Sequence, residues 1–145
     1  MNWLEIVAIL VIGFVGSAEF GSVALVHPVV RKLGPDDQLV FEKGLLRTYG
    51  RIMPIGMTLA PIIAIILAFE TPSVWMYVAA ISLALALVVT IVGNVPINLR
   101  TGRIEQEVAP DGFIAMRRRW DVFQLTRGSL QLLGFILVTI GIAGA

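Results

Sequence analysis

Glu19 lies well inside the first long apolar stretch of the sequence, which runs from Trp3 to Val26. His27 follows eight residues later, which on a helix corresponds to about 12 Å along the axis and about 80° around it. The two side chains therefore share one broad face, and a carboxylate with an imidazole can form an acid–base or ligand-binding pair. Two simpler interpretations stay open: Glu19 forms a structural ion pair, and His27 caps the span at the membrane interface.

A stripe of polar side chains opens the last apolar stretch. Its members recur at steps of four, three and four, so they share one helical face; they are Trp120, Gln124, Arg127 and Gln131. A guanidinium can bind a carboxylate through two hydrogen bonds, and a charged Glu19 in hydrocarbon needs a partner. We expect Arg127 to bond Glu19, directly or through Asn94 or Asn98. The alternative is a protonated Glu19 with Arg127 reaching lipid phosphate.

Asn94 and Asn98 lie one helical turn apart, with Pro96 between them. Their amides either bind a ligand or Glu19, or serve backbone groups that the proline disturbs. All these polar residues fall in the same half of the molecule, which predicts a polar pocket there beneath a dry opposite half. The candidate catalytic residues are Glu19, His27 and Arg127. The candidate ligand-binding residues are Asn94, Asn98, Trp120, Gln124, Gln131 and Arg51.

Four apolar stretches must position these residues, and each has about the length that a membrane-spanning helix needs. With 57 % apolar and 14 % charged residues and a mean hydropathy of +0.89, the chain is typical of membrane proteins and not of soluble domains. We predict an all-α, four-transmembrane-helix bundle in one domain, 1–145. The spans are expected at about 3–26, 52–69, 74–95 and 128–143, with connections at 27–51 and 96–127. Apolar residues at helical spacing before spans two and four predict that both helices extend beyond the membrane.

Basic residues predict the orientation. Five lie in or beside the first connection and six in or beside the third: Arg31, Lys32, Lys43, Arg47, Arg51, Arg100, Arg103, Arg117, Arg118, Arg119 and Arg127. These are all eleven lysines and arginines of the chain. Positive charge is retained on the cytoplasmic side of a membrane. We therefore expect both termini outside and both basic connections inside, in a multi-pass protein of the plasma (inner) membrane.

Composition also excludes several functions. A net charge of +1 argues against a nucleic-acid partner. The absence of cysteine and the single histidine exclude thiolate metal sites and a multi-histidine centre within one chain. We predict no stably bound transition metal and no cofactor.

The string Asn94-Val95-Pro96-Ile97-Asn98, followed by Trp120 and by Arg127 at the start of the last span, resembles the anthrone-oxygenase-like family of small four-span membrane proteins. The first span, with its glycines and then His27-Pro28, is similar too. Fungal members of that family are implicated in oxidising anthrones to anthraquinones with O₂ and no recognised cofactor.

The resemblance implies that Asn94, Asn98, Trp120 and Arg127 line a pocket for an aromatic or quinol-like lipophilic substrate. Such a reaction needs a base, Glu19 or His27, and fixed donors for the resulting anion. Two other interpretations remain. The chain is a non-catalytic accessory subunit of a larger membrane complex, or a homo-oligomer, because its span glycines permit close helix packing. A transporter fits less well, since the sequence has no repeats.

Overall fold

The computed structural model describes residues 1–145 and contains helices and no strands. The four long helices are α1 (Trp3–Val30), α2 (Pro35–Glu70), α3 (Val74–Gly102) and α4 (Phe113–Ala143). Each is long and apolar enough to cross a membrane, which confirms the predicted all-α bundle. Both termini and the turn 71–73 lie at one end of the bundle, here called the terminal end. The connections 31–34 and 103–112 lie at the other, here called the basic end. Which end faces the cytoplasm stays a prediction.

Two of the helices contain a widened π-helical turn. In α1 it covers Ser22–Val26 and is followed by an α-helical end, His27–Val30; in α3 it covers Thr90–Asn94 and is followed by Val95–Gly102. Each final α-helical segment has a proline at its second position. A proline has no N–H and its ring collides with the carbonyl four residues earlier. The wider turn accommodates the proline without ending the helix.

The helices begin where the sequence offers caps. Asn2 and Glu5 form a reciprocal capping box at the start of α1, with hydrogen bonds of 2.7 and 3.0 Å, and this satisfies backbone donors that a helix start leaves free. Gly34 precedes Pro35 at the start of α2, and Asp36 and Asp37 lie in its first turn, where the helix dipole favours negative charge.

The four helices form a ring in the order α1, α4, α3, α2. Neighbours in the ring pack along much of their length, whereas α2 and α4 face each other diagonally and barely touch. At the terminal end, a buried apolar cluster that includes Ile12, Leu67 and Met76 fills the space between the four helices. The buried residues of the opposite half are largely polar. The predicted asymmetry between a dry half and a polar half is therefore present.

Several glycines of the spans lie where two helices of this chain approach closely. A Cβ atom on Gly16 would lie 2.9 Å from the backbone oxygen of Gln131, and one on Gly128 would lie 3.3 Å from the backbone of Phe20. Gly134 likewise faces Leu83. These three contacts join helices of the same chain.

The helices also extend beyond the predicted spans. The sequence-predicted connections 27–51 and 96–127 are helical except for 31–34 and 103–112. The predicted extension of the second and fourth helices is confirmed, because α2 begins at Pro35 and α4 at Phe113.

Candidate functional site

Glu19 and Arg127 form a buried ion pair between α1 and α4. Arg127 Nη2 donates to Glu19 Oε2 at 2.7 Å. Gln124 Nε2 donates to the same oxygen at 2.6 Å, and Gln124 Oε1 accepts from Arg127 Nε at 2.7 Å. The three side chains close a triangle, and Glu19 is 1 % exposed. The direct pairing predicted from the sequence is therefore confirmed.

Arg127 also links the other two helices to this pair. Its Nη1 lies 3.4 Å from Thr90 Oγ1 of α3 and 3.7 Å from Met57 Sδ of α2. We call Glu19, Met57, Thr90, Gln124 and Arg127 the central network. Because its members come from all four helices, this network fixes the helices at the level where the dry half ends.

His27 belongs to a second buried cluster, closer to the basic end. Its Nδ1 lies 2.9 Å from the backbone oxygen of Ser22 and 3.2 Å from the Ser22 hydroxyl. A carbonyl oxygen only accepts hydrogen bonds, so the shorter contact favours a proton on Nδ1. The π-helical turn creates this contact, because Ser22 begins the turn and His27 follows it. The ring's other nitrogen, Nε2, then faces away from its own helix.

Glu42 of α2 lies opposite that nitrogen. Glu42 Oε1 is 3.6 Å from His27 Nε2, and Glu42 Oε2 is 2.6 Å from Arg117 Nη2. The Arg117 guanidinium also lies 4.3 Å from the centre of the Trp120 ring, which is a cation–π distance. The Trp120 ring in turn lies 4.7 Å from the His27 ring, centre to centre. We call His27, Glu42, Arg117 and Trp120 the basic-end cluster.

A cavity of about 560 Å³ lies between the two groups, in the diagonal gap between α2 and α4. Its size is that of a small-molecule site. The predicted residues Glu19, His27, Asn98, Trp120, Gln124 and Arg127 all line it. Much of the remaining wall is apolar and comes from α2 and α3: Leu45, Leu46, Met53, Met57, Val95 and Leu99.

Three predicted ligand-binding residues do not line this cavity. Arg51 is exposed and stands outside its wall. Asn94 is buried behind the wall, where its amide donates to the backbone oxygen of Trp120 at 3.5 Å. Gln131 is buried one turn deeper than Arg127, toward the dry half. The structure thus brings six of the nine predicted residues to one cavity.

Sequence reasoning missed Glu42 and Arg117. Both fall in segments taken as connections, yet both carry a periodic signal. Glu42 stands in step with Leu39 and Leu46, and Arg117 stands three residues before Trp120, in phase with the polar stripe. Arg117 is found by extending the polar stripe one helical step toward the N-terminus, and Glu42 by filling the step between Leu39 and Leu46.

Several buried polar atoms around the cavity have no hydrogen-bond partner in the protein: Glu19 Oε1, His27 Nε2, Glu42 Oε1 and Trp120 Nε1. Buried polar atoms are nearly always bonded, so these atoms mark a place for a ligand or an ordered water. Donors and acceptors are both among them. No three His, Asp or Glu side chains converge in the chain as metal ligands would.

A family model described as "Anthrone oxygenase" matches residues 40–137. The match covers about two thirds of the chain and includes Glu42, Asn98, Arg117 and Arg127, whereas α1 lies before it. No curated protein and no solved structure matches the chain.

Proposed function

Because this chain belongs to the anthrone oxygenase family, we propose that it binds a lipophilic aromatic molecule in the cavity of about 560 Å³ and oxidises it with O₂. His27 is the base and Glu42 its positioning residue. The observation that carries the proposal is the imidazole–carboxylate pair at the wall of a largely apolar cavity.

The choice of His27 over Glu19 follows from their hydrogen bonds. Glu19 Oε2 already accepts from both Arg127 and Gln124, and its charge is balanced by the guanidinium. His27 Nε2 has no hydrogen-bond partner. A proton taken up there would lie 3.6 Å from Glu42 Oε1, the oxygen of this carboxylate that has no hydrogen-bond partner and can accept from an imidazolium, while Arg117 contacts the other oxygen.

The reaction is consistent with these residues alone. A methylene group between two aromatic rings loses a proton to His27, and the delocalised anion passes one electron to O₂. Recombination of the two radicals forms a peroxide anion, which takes the proton back from His27 and becomes a hydroperoxide. The hydroperoxide eliminates water and leaves a carbonyl. The balance is R₂CH₂ + O₂ → R₂C=O + H₂O.

The polar side chains of the wall hold the anion in this scheme. Asn98 lines the cavity and is partly exposed, so its amide can donate to a ligand oxygen. Arg127 also lines the cavity, and because its charge is paired with Glu19 it contributes hydrogen-bond donors and not a net positive charge. Donors fixed before the charge develops stabilise an anionic transition state better than solvent does.

The test uses the purified chain in lipid nanodiscs with anthrone as substrate and O₂ consumption as readout, corrected for the protein-free rate. We expect His27→Gln to lower the catalysed rate by about 10²–10⁴-fold, the usual contribution of a general base. Binding of anthraquinone, followed by absorbance, should change little. Arg47→Gln, at an exposed residue outside the cavity, is the control.

Two outcomes would contradict this proposal. If His27→Gln retains the wild-type rate, His27 is not the base. If the wild-type chain neither binds anthraquinone nor consumes O₂, and copurifies from native membranes with larger subunits at fixed stoichiometry, it is an accessory subunit.

A further inference from the structure

A second groove lies on the outside of the bundle, where α3 and α4 pass each other at the basic end. Its volume is about 580 Å³, and it shares no lining residue with the cavity described above. Apolar side chains line its part nearer the middle of the bundle, among them Val92, Pro96 and Phe123. Arg100 and Arg119 line its part nearer the connection 103–112.

The spacing of these residues along the helices separates apolar from basic groups. On α3, Val92, Pro96 and Arg100 succeed each other at four-residue steps, so Arg100 stands about 12 Å beyond Val92 on one side of the helix. On α4, which runs the opposite way, Arg119 stands one turn beyond Phe123. On both helices, therefore, the residues that line the groove change from apolar near the middle of the bundle to cationic near the basic end.

The two arginines have no partner within the chain. Arg31 pairs with Asp121 at 2.7 Å and Arg117 pairs with Glu42, but neither Arg100 nor Arg119 makes an ion pair or a side-chain hydrogen bond. Both are exposed. One carboxylate, that of Asp111, also lines the groove, so the arginines leave a local excess of positive charge.

We propose that this groove binds one anionic phospholipid, with its phosphate between Arg100 and Arg119 and an acyl chain along Val92 and Phe123. Val92 is 69 % exposed on a helix that can span a membrane, so the apolar part of the groove is in contact with lipid chains. A phospholipid complements this groove, because its acyl chains match the apolar part and its phosphate matches the two arginines. Basic pockets between spanning helices bind such headgroups. A free phosphate would match only the arginines.

The test is native mass spectrometry of the protein released from nanodiscs that contain equal amounts of phosphatidylglycerol and phosphatidylcholine. We expect the wild-type protein to retain one phosphatidylglycerol in preference to phosphatidylcholine. The variant R100Q/R119Q should bind it roughly thirtyfold more weakly, from the usual contribution of two cations near an anionic headgroup. The control R47Q/R118Q removes the same charge from exposed residues outside the groove and should retain the lipid as the wild type does.

Three results would overturn the lipid site. The first is equal retention of the two lipids by the wild-type protein. The second is equal loss of phosphatidylglycerol in R100Q/R119Q and R47Q/R118Q, which would show a general charge effect. The third is displacement of the lipid by millimolar inorganic phosphate, which would assign the arginines to a free anion. The O₂-consumption assay is a separate readout, so neither proposal depends on the other.

Discussion

Glu19 and Arg127 neutralise each other where neither could remain charged alone. Removing one partner leaves the other buried and unpaired, which usually costs about 3–5 kcal/mol, whereas removing both costs less. We expect Glu19→Gln and Arg127→Gln each to lower the free energy of unfolding by more than the double variant does. A double-mutant cycle of denaturant unfolding in detergent measures this. Additive losses would show that the pair contributes no coupling.

Arg117 and Arg118 are neighbours in sequence but differ in surroundings. Arg117 is 2 % exposed and pairs with Glu42, whereas Arg118 is exposed and unpaired. We expect Arg117→Gln to lower the free energy of unfolding by about 3–5 kcal/mol, because the Glu42 carboxylate loses its cation. Arg118→Gln should stay within about 0.5 kcal/mol of the wild type. Equal effects of the two variants in the same unfolding assay would place Glu42 in contact with water.

The sequence predicted the Glu19–Arg127 pair because a polar stripe with helical spacing is visible without knowledge of the fold. It did not predict the basic-end cluster. Glu42 and Arg117 lie among other charged residues, and charge in such a segment usually indicates a solvated face. Glu42 comes to lie beside His27 only because α2 packs against α1. A contact between two helices cannot be inferred from the residue spacing along either one.

Prolines inside the helices explain why the widened turns could not be predicted. Pro28 and Pro96 each follow a π-helical turn, but Pro54 and Pro61 lie inside α2, which remains α-helical throughout. A proline therefore predicts a missing hydrogen bond without predicting how the helix responds. The response depends on the packing around that helix, which no local pattern contains.

The close approach of α1 and α4 depends on glycine. A methyl group at Gly16 would meet the backbone of Gln131 at 2.9 Å, so the helices must separate to admit it. We expect Gly16→Ala to lower the free energy of unfolding by about 1–3 kcal/mol, as overpacking usually does. Thermal or denaturant unfolding in detergent measures this effect.

Gly44 of α2 is the matched control for that substitution. It is exposed and has no atom within 4 Å of the position of a Cβ. Because alanine stabilises an open helical position relative to glycine, Gly44→Ala should raise the free energy of unfolding by about 0.5–1 kcal/mol. A loss of stability at Gly44 as large as that at Gly16 would mean that helix approach is not the cause.

At the scale of the whole molecule, charge is concentrated at one end and the other half is dry. All eleven basic residues belong to the half of the bundle with the connections 31–34 and 103–112. This distribution predicts that both termini face away from the cytoplasm. Cysteines introduced by Ala145→Cys and Glu105→Cys lie at opposite ends of the bundle and at exposed residues.

In sealed right-side-out vesicles, an impermeant thiol reagent should label the cysteine at position 145 and leave that at position 105 unlabelled until detergent is added. The native chain contains no cysteine, so no background labelling is expected. The reverse labelling pattern would show that the chain has the opposite orientation. Labelling of both cysteines before detergent is added would show that the chain has no single orientation in the membrane.

The π-helical turns also allow α1 and α3 to contain an additional residue without displacing the site. Each holds one residue more than an α-helical turn would. Loss of one residue from Ser22–Val26 would therefore leave an α-helical turn, with His27 still opposite Glu42 and the dry half still packed. A gap of one residue at this point in an alignment of relatives thus signifies the loss of the wider turn and not a different set of side chains in the cavity.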